Sequence, residues 1–137
     1  MIIAKSPLRL SLGGGGTDLA SYYEIDGGFF ISAAINKHIY IAIQDTFSKE
    51  LLLKYSEYEK SLSLDEIKHP IIRESLKLFY QKIPGLEITS FADIPGGTGL
   101  GSSSSFCNAL IMGLAKKVSK DIEAEILAKQ SCKIEIE

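Results

Sequence analysis

The chain has 137 residues, the size of one compact domain, and a domain of this length buries roughly two-thirds of its unfolded surface. Apolar residues make up 45% and charged residues 23% of the sequence, which excludes a disordered or fibrous protein. The 15 basic and 17 acidic side chains give a formal net charge of −2. Because Lys and Arg are not in surplus, we do not expect the chain to bind nucleic acid.

The apolar runs are too short for a membrane span or a secretory signal. The longest, residues 29–35 and 109–115, fall well below the roughly 18 residues that cross a bilayer. A charge already stands at Lys5, so the N-terminus lacks the apolar core of a signal peptide. We therefore expect a cytoplasmic protein in which Cys107 and Cys132 stay reduced and hold no metal.

The first predicted element is a strand that leads into a glycine turn. Polar and apolar residues alternate over residues 7–12, which predicts a half-buried strand with Leu8, Leu10 and Leu12 on one face. Four glycines follow at residues 13–16 and predict an exposed backbone loop. We expect Thr17 and Asp18 to cap the element that comes next.

The middle of the chain predicts more strands and two helices. Residues 29–35 and 38–44 are expected to pair with each other around Asn36 and Lys37, and residues 51–55 to form another strand. Residues 63–66 match the capping-box pattern and predict a short helix through Lys68. A second helix is predicted to begin at Pro70 and to end at Pro84 and Gly85, with one apolar face formed by Ile72, Leu76, Phe79 and Ile83.

The last third predicts a strand followed by two helices. Residues 86–94 are extended, and a buried helix follows with Phe106, Cys107, Leu110, Ile111, Leu114 and Val118 on its inner side. Gly113 within this helix costs about 1 kcal/mol relative to Ala, which predicts a closely packed neighbour. Asp121 is the expected N-cap of the final helix, whose inner face is Ile122, Ile126 and Ile134. The order of elements indicates an α+β fold, and because the sequence stops inside a helix we expect a piece of a longer protein.

The most informative segment is residues 91–106, in which a strand is followed by four glycines within six residues and then by four serines that open a helix. Bare backbone N–H groups and the unpaired donors of a helix N-terminus favour an anion, so the segment predicts a phosphate site. Serine hydroxyls can bind phosphate oxygens or a phosphate-bound Mg²⁺. The simpler alternative is a strand-to-helix turn with one serine as its N-cap, but such a turn needs only one glycine.

Two familiar nucleotide motifs do not match this segment. Gly96 and Gly101 have the spacing of a Walker A loop, but Ser102 stands where that motif needs Lys. Gly97, Gly99 and Gly101 are spaced G-x-G-x-G rather than G-x-G-x-x-G, and no acidic residue ends an adjoining strand about 20 residues later.

Residues 95–104 resemble the second signature of the GHMP small-molecule kinases, usually written P-x-x-x-G-L-G-S-S-A, with Ser104 in place of Ala. Residues 6–43 resemble the first signature of the sugar-kinase branch, in which Pro and Arg precede a glycine turn and Thr-Asp. The Gly-Gly-Gly-Thr-Asp form with Leu after it is most similar to bacterial D-glycero-D-manno-heptose 7-phosphate kinases. The resemblance covers nearly the whole chain.

This resemblance implies a role for each matching position. ATP would be bound by the second signature, Pro95, Gly96, Gly97, Thr98, Gly99, Leu100, Gly101, Ser102, Ser103 and Ser104. Mg²⁺ would be held by Ser103 and Glu135, with Glu137 as the alternative carboxylate. Arg9 would be the catalytic arginine near the transferred phosphoryl group, and the sugar would be bound by Gly15, Gly16, Thr17 and Asp18. The family's catalytic Asp is expected beyond Glu137, so the chain by itself is expected to be inactive or nearly so.

Several of these residues also have plain structural interpretations. Arg9 alone would be an exposed strand residue, Asp18 a helix cap and Glu135 a solvated acid. Tyr22 and Tyr23 are expected to pack in the core or to line the sugar site, and His38 and His69 to be structural.

The resemblance also implies a fold and an activity. The fold would be the two-layer, ribosomal protein S5 domain 2-like N-terminal domain of GHMP kinases over residues 1–137, without the C-terminal domain. The activity would transfer the γ-phosphate of ATP to the anomeric hydroxyl of D-glycero-D-manno-heptose 7-phosphate, for nucleotide-heptose synthesis. The alternatives are a galactose or fucose kinase, a non-catalytic nucleotide- or sugar-phosphate-binding module, and an RNA-binding domain of the same architecture, which the absence of a basic stripe disfavours. An exposed apolar face would allow pairing with a second copy.

Overall fold

The computed structural model describes residues 1–79 and 85–136. Within them the strands are β1 (Ile2–Gly13), β2 (Ile31–Asp45), β3 (Leu51–Lys54), β4 (Tyr58–Ser61) and β5 (Leu86–Ala92). The helices are α1 (Ala20–Asp26), α2 (Pro70–Phe79), α3 (Ser102–Lys117) and α4 (Ala124–Ile136). No helix of these two ranges is long and apolar enough to cross a membrane.

The strands form one mixed sheet in the order β1-β2-β5-β3-β4, with helices packed on one face. Neighbouring strands are antiparallel except β3 and β5, which run parallel. Ile39, Ile41 and Ile43 alternate along β2 and are buried, because this face of the strand meets the helical layer. Helix α3 contacts β1 and β2, and α2 and α4 pack against α3. The predicted α+β class is confirmed.

The two strands predicted around Asn36 and Lys37 are one continuous strand, β2, whose partner is β1. Pro7 pairs with His38 and Arg9 pairs with Ala34, so three residues of β2 lie opposite Leu8. The polar pair therefore belongs to a bulge rather than to a hairpin turn. Of the three leucines predicted to share the buried face of the first strand, Leu8 is buried but Leu10 and Leu12 are exposed.

Three predicted helix starts are wrong. The helix predicted for residues 63–68 is a turn, because the Ser61 hydroxyl binds both the amide and the carbonyl oxygen of Ser63. The N-cap of α1 is Leu19 and no side chain caps it, so neither Thr17 nor Asp18 does so. Helix α4 begins at Ala124 rather than after Asp121, whose carboxylate lies 3.6 Å from the Lys116 ammonium.

The other helix predictions are largely confirmed. Helix α2 begins at Pro70, and its Ile72 and Leu76 are buried, whereas the predicted Ile83 and Pro84 lie outside the described residues. In α3 the predicted inner positions are buried apart from Phe106, which is partly buried, and Val118, which follows the helix and is exposed. Ile126 of α4 is 47% exposed, so the inner face predicted for that helix is wrong at this position.

Gly113 has the close neighbour that its place inside α3 predicts. A Cβ atom at this position would lie 2.8 Å from Ile43 Cδ1 and 3.4 Å from Ala4 Cβ. Helix α3 therefore approaches strands β1 and β2 closely at this point.

Candidate functional site

The glycine loop, residues 93–101, connects β5 to α3. Gly97, Gly99 and Gly101 have φ angles of 81°, 71° and 70°, in the left-handed region that L side chains rarely adopt. A Cβ atom on Gly97 or Gly99 would meet nothing within 4 Å, so the backbone of this loop is bare. The N-cap of α3 is Gly101 and no side chain caps the helix, which leaves the positive end of the helix dipole free for an anion.

The glycine loop is attached to the edge strand β1. The Arg9 N–H donates to the Leu100 carbonyl oxygen at 3.0 Å, and the Ser105 hydroxyl donates to the Pro7 carbonyl oxygen at 2.7 Å. A Cβ on Gly101 would lie 2.9 Å from Arg9 Nε, so the Arg9 side chain lies directly against the loop. The two signatures, about 90 residues apart in sequence, therefore meet at this point.

One side of the loop faces a cleft of about 290 Å³, which we call the ring cleft. Gly96, Ser102 and Ser103 line it together with three aromatic rings, Tyr55, His69 and Phe106. The His69 ring stacks on Phe106 with centroids 5.2 Å apart and meets Tyr55 edge-on at 4.8 Å. Flat apolar surfaces next to phosphate-binding groups suit a planar base that carries a phosphate chain.

A buried carboxylate organises the wall of the ring cleft. Glu59 accepts hydrogen bonds from the Tyr55 hydroxyl at 3.1 Å and from the Lys68 amide at 2.7 Å. Burial, together with the bond to Glu59, raises the pKa of Tyr55 to about 12. Burial also lowers the pKa of His69, so its imidazole is neutral at neutral pH. Its buried Nδ1 has no hydrogen-bond partner in the part of the chain that the structure describes.

The other side of the loop faces a cleft of about 180 Å³, which we call the arginine cleft. It is lined by Arg9, Ser11, Gly15, Gly16, Asp18, Phe30 and Gly99. The Asp18 carboxylate accepts a hydrogen bond from the Gly16 amide at 3.1 Å. Among the described residues, none forms an ion pair or hydrogen bond with the Arg9 guanidinium, so its five donors are available to a ligand.

Thr17 lies beside the arginine cleft but does not line it. Its hydroxyl oxygen is 2.8 Å from the Gly14 carbonyl oxygen and 2.9 Å from that of Phe29, and it accepts the Phe29 amide at 3.1 Å. The hydroxyl therefore ties the first glycine turn to the segment before β2. Tyr22 and Tyr23 are exposed, so the expectation that they pack in the core is wrong, and neither lines the cleft.

Of the two predicted metal ligands, Ser103 lies in the first turn of α3 and Glu135 in the last turn of α4. Ser103 is exposed and lines the ring cleft, while Glu135 of α4 accepts a hydrogen bond from the neighbouring Ser104 at 3.2 Å. No group of three or more His, Cys, Asp or Glu side chains within residues 1–79 and 85–136 is arranged to hold a metal. A serine hydroxyl and one carboxylate nevertheless fit Mg²⁺, which takes few protein ligands and completes its shell with phosphates and water. The alternative ligand, Glu137, lies outside the described residues.

The other predicted loop residues support the loop from outside the two clefts. Leu100 packs against the core, and the Thr98 hydroxyl lies 3.5 Å from the Pro95 carbonyl oxygen. The sequence did not single out the rings of Tyr55, His69 and Phe106 as lining a cleft. They come from three separated elements, and only a contact prediction could have brought them together.

Comparison with known proteins agrees with this arrangement. Residues 70–137 match the family model described as GHMP kinases N terminal domain. The chain is 28% identical to D-glycero-alpha-D-manno-heptose 7-phosphate kinase of Campylobacter jejuni and 28% identical to mevalonate kinase of Archaeoglobus fulgidus, over 99% of this chain in both cases. A crystal structure of a D-glycero-D-manno-heptose 1-phosphate kinase from Bacteroides thetaiotaomicron superimposes with a TM-score of 0.87 and 25% identity over 98% of this chain.

The match covers only part of each relative. The chain spans 43% and 45% of the two curated relatives and 48% of the solved structure. What is compared is therefore the N-terminal domain of these larger proteins.

Proposed function

We propose that this chain is the N-terminal domain of a GHMP kinase and that it forms the ATP- and sugar-binding half of a sugar kinase, since residues 70–137 match the family model and the two curated relatives align over 99% of the chain. The whole enzyme would transfer the γ-phosphate of ATP to the anomeric hydroxyl of a heptose 7-phosphate. One observation carries the proposal: the bare glycine loop borders both clefts, through Gly96 on the ring cleft and Gly99 on the arginine cleft. A phosphate chain lying along this loop would connect a base in one cleft to an acceptor in the other.

The nucleotide would occupy the ring cleft and the loop. The base would contact the rings of Tyr55, His69 and Phe106, whose neutral imidazole suits an uncharged heterocycle. The loop amides and the Ser102 and Ser103 hydroxyls would donate to the phosphate oxygens. Ser103 and Glu135 would hold Mg²⁺, which neutralises phosphate charge when it is bound.

The arginine cleft would hold the acceptor. Phosphoryl transfer depends mainly on alignment and on stabilising charge at the transferred oxygens, and the unpaired guanidinium of Arg9 beside Gly99 is suited to the second task. The Asp18 carboxylate would accept hydrogen bonds from sugar hydroxyls, and the amides of Gly15 and Gly16 would donate to sugar oxygens. A kinase of this kind works where ATP is supplied, which favours the cytoplasm.

The proposal of a heptose 7-phosphate acceptor is supported by the similarity to the C. jejuni relative and by the Gly-Gly-Gly-Thr-Asp form of the first signature. The mevalonate kinase of A. fulgidus is equally identical to the chain, so mevalonate is the second candidate. A galactose or fucose kinase is a further alternative within the sugar-kinase branch.

Calorimetric titration of the chain with ATP, with and without Mg²⁺, tests the nucleotide half of the proposal. We expect binding that Mg²⁺ strengthens and that Arg9→Met weakens about tenfold or more, because a charge-assisted contact to phosphate is lost. Lys49→Met is the matched control, since it removes one exposed positive charge from outside both clefts. A wild-type chain that binds no ATP with Mg²⁺ present would overturn the proposal.

The acceptor is tested by thermal shift with heptose 7-phosphate, galactose, fucose and mevalonate in parallel. We expect the heptose phosphate to raise the melting temperature most, and Asp18→Asn to abolish the increase. A larger shift with mevalonate would replace the sugar assignment by the second candidate.

A further inference from the structure

Ser105 is a buried serine that lies outside both clefts but next to the point where the two signatures meet. It is 4% exposed, and its hydroxyl donates to the Pro7 carbonyl oxygen at 2.7 Å across 98 residues of sequence. Its amide donates to the Gly101 carbonyl oxygen at 3.1 Å, within the first turn of α3. The same residue therefore contacts the glycine loop through its backbone and β1 through its side chain.

The carbonyl that Ser105 binds belongs to the outer edge of the sheet. Within residues 1–79 and 85–136, β1 is an edge strand that pairs with β2 alone. Pro7 has no N–H, so its carbonyl is the only backbone hydrogen-bonding group it contributes, and Ser105 satisfies it. Two residues later the Arg9 N–H is satisfied by the Leu100 carbonyl oxygen. The start of α3 and its loop thus take the place of a further strand here.

The pairing of β1 with β2 is irregular at the same place. The register passes from Pro7–His38 directly to Arg9–Ala34, with Leu8 opposite a three-residue bulge. A bulge interrupts the ladder and bends the strand, so the sheet alone fixes Arg9 less firmly than a regular ladder would. The hydrogen bonds from Ser105 to Pro7 and from Arg9 to Leu100 therefore help to fix the position of Arg9.

We propose that Ser105 is a positioning residue for Arg9: by binding the Pro7 carbonyl it sets where the guanidinium lies relative to Gly101 and the phosphate loop. The inference rests on the proposed function, in which Arg9 binds the terminal phosphate of ATP. Loss of the Ser105 hydroxyl would therefore weaken contact with the last phosphate, while the rest of the nucleotide would bind as before.

The test compares Ser105→Ala with Ser131→Ala in the full chain. Ser131 is matched, since it is 3% exposed and donates a 2.7 Å hydrogen bond to Asn108 Oδ1, but that bond joins α4 to α3 away from β1. We expect Ser105→Ala to weaken ATP binding about fivefold, the effect of one hydrogen bond, and ADP binding less than twofold. Ser131→Ala should leave the ATP-to-ADP affinity ratio at its wild-type value. Ser105→Thr, which keeps the hydroxyl, should also have the wild-type ratio.

A second readout is hydrogen exchange at the Arg9 amide, which needs no ligand. We expect this amide to exchange severalfold faster in Ser105→Ala and at the wild-type rate in Ser131→Ala. If Ser105→Ala does not fold, Ser105→Cys preserves the size of the side chain and weakens its donor.

The outcomes separate the two proposals. An equal loss of ATP and ADP affinity, or unchanged ATP affinity and unchanged Arg9 exchange, would overturn the role of Ser105 and leave the kinase proposal standing. A wild-type chain that binds neither nucleotide would overturn the kinase proposal, and Arg9 exchange would then decide alone whether Ser105 positions Arg9.

Discussion

The two glycine-rich segments of this chain use glycine for different physical reasons. In the first, a Cβ on Gly14 would lie 2.1 Å from the Phe29 carbonyl oxygen, and one on Gly28 would lie 2.2 Å from that of Thr17. In the second, a Cβ on Gly97 or Gly99 would meet nothing within 4 Å, and only the positive φ angles favour glycine. The first segment is packed against its own backbone at Gly14 and Gly28, whereas the second is open to a ligand at Gly97 and Gly99. Substitutions should therefore lower stability at Gly14 and ligand binding at Gly99.

The largest effect is expected for Gly14→Ala. Its φ of 78° disfavours a side chain, and its Cβ would overlap a backbone oxygen that cannot move without moving β2. We expect a loss of about 3 kcal/mol or more in the free energy of unfolding, measured by urea denaturation. Gly15→Ala is the control, because its Cβ would meet only Ser11 Oγ at 3.7 Å. Similar losses for both variants would contradict the packed description of the first segment.

Thr17→Val tests what holds the first segment together. The substitution keeps the shape of the side chain but leaves the Phe29 amide and carbonyl without their shared partner. We expect about 2 kcal/mol of destabilisation. Thr98→Val, which removes an exposed contact of 3.5 Å, should change stability by less than about 0.5 kcal/mol. If Thr17→Val changes the free energy of unfolding as little as Thr98→Val does, the Thr17 hydroxyl does not stabilise this turn.

Gly99→Ala tests the open character of the second segment. The left-handed conformation should cost about 1 kcal/mol of stability, because no neighbouring atom resists the new methyl group. ATP affinity measured by calorimetry should fall about tenfold or more, since the methyl group would stand where phosphate approaches. Gly96→Ala, without a positive φ and also in open space, should leave stability nearly unchanged. If Gly99→Ala lost as much stability as Gly14→Ala, the description of the second segment as open would be wrong.

The smallest effect concerns the aromatic wall beside the second segment. Burial lowers the pKa of His69, so the unfolded chain binds a proton more readily than the folded one. Its contribution to stability is complete above the unfolded pKa near 6.5 and is lost as the pH falls below it. We expect His69→Phe to show a smaller loss of unfolding free energy between pH 7.5 and 5.5, by at most about 1.4 kcal/mol per pH unit. Identical pH dependence in the two proteins would show that His69 is not desolvated.

Local patterns in the sequence predicted most of the elements. Strand β5 and helices α2 and α3 carry regular apolar spacing next to clear Pro, Gly or Ser boundaries, and all three occur close to where they were predicted. The errors arise where contacts with residues far away in the sequence determine the local structure. Asn36 and Lys37 have the composition of a turn, but pairing with β1 keeps the chain extended and places them in a bulge. Capping by Thr17 fails because its hydroxyl binds Phe29, which no local pattern contains.

The site was predictable only in part for the same reason. The signatures identified the bare loop and the cluster of Arg9, Gly15, Gly16 and Asp18, which the structure brings together in one cleft. The wall formed by Tyr55, His69 and Phe106 had no motif, because its rings come from the end of β3, the segment before α2 and the first turns of α3. The role of Ser105 was hidden by its place in a run of four similar serines.

The contact between Pro7 and Ser105 also bears on how the chain matures during synthesis. Pro7, on the outer edge of β1, leaves the ribosome 98 residues before Ser105, whose hydroxyl binds the Pro7 carbonyl oxygen. In that interval the nascent chain presents an uncovered strand edge, the kind of surface that pairs with other extended segments. Chaperone capture of early translation intermediates should accordingly be strongest before α3 emerges and should decline once it has docked.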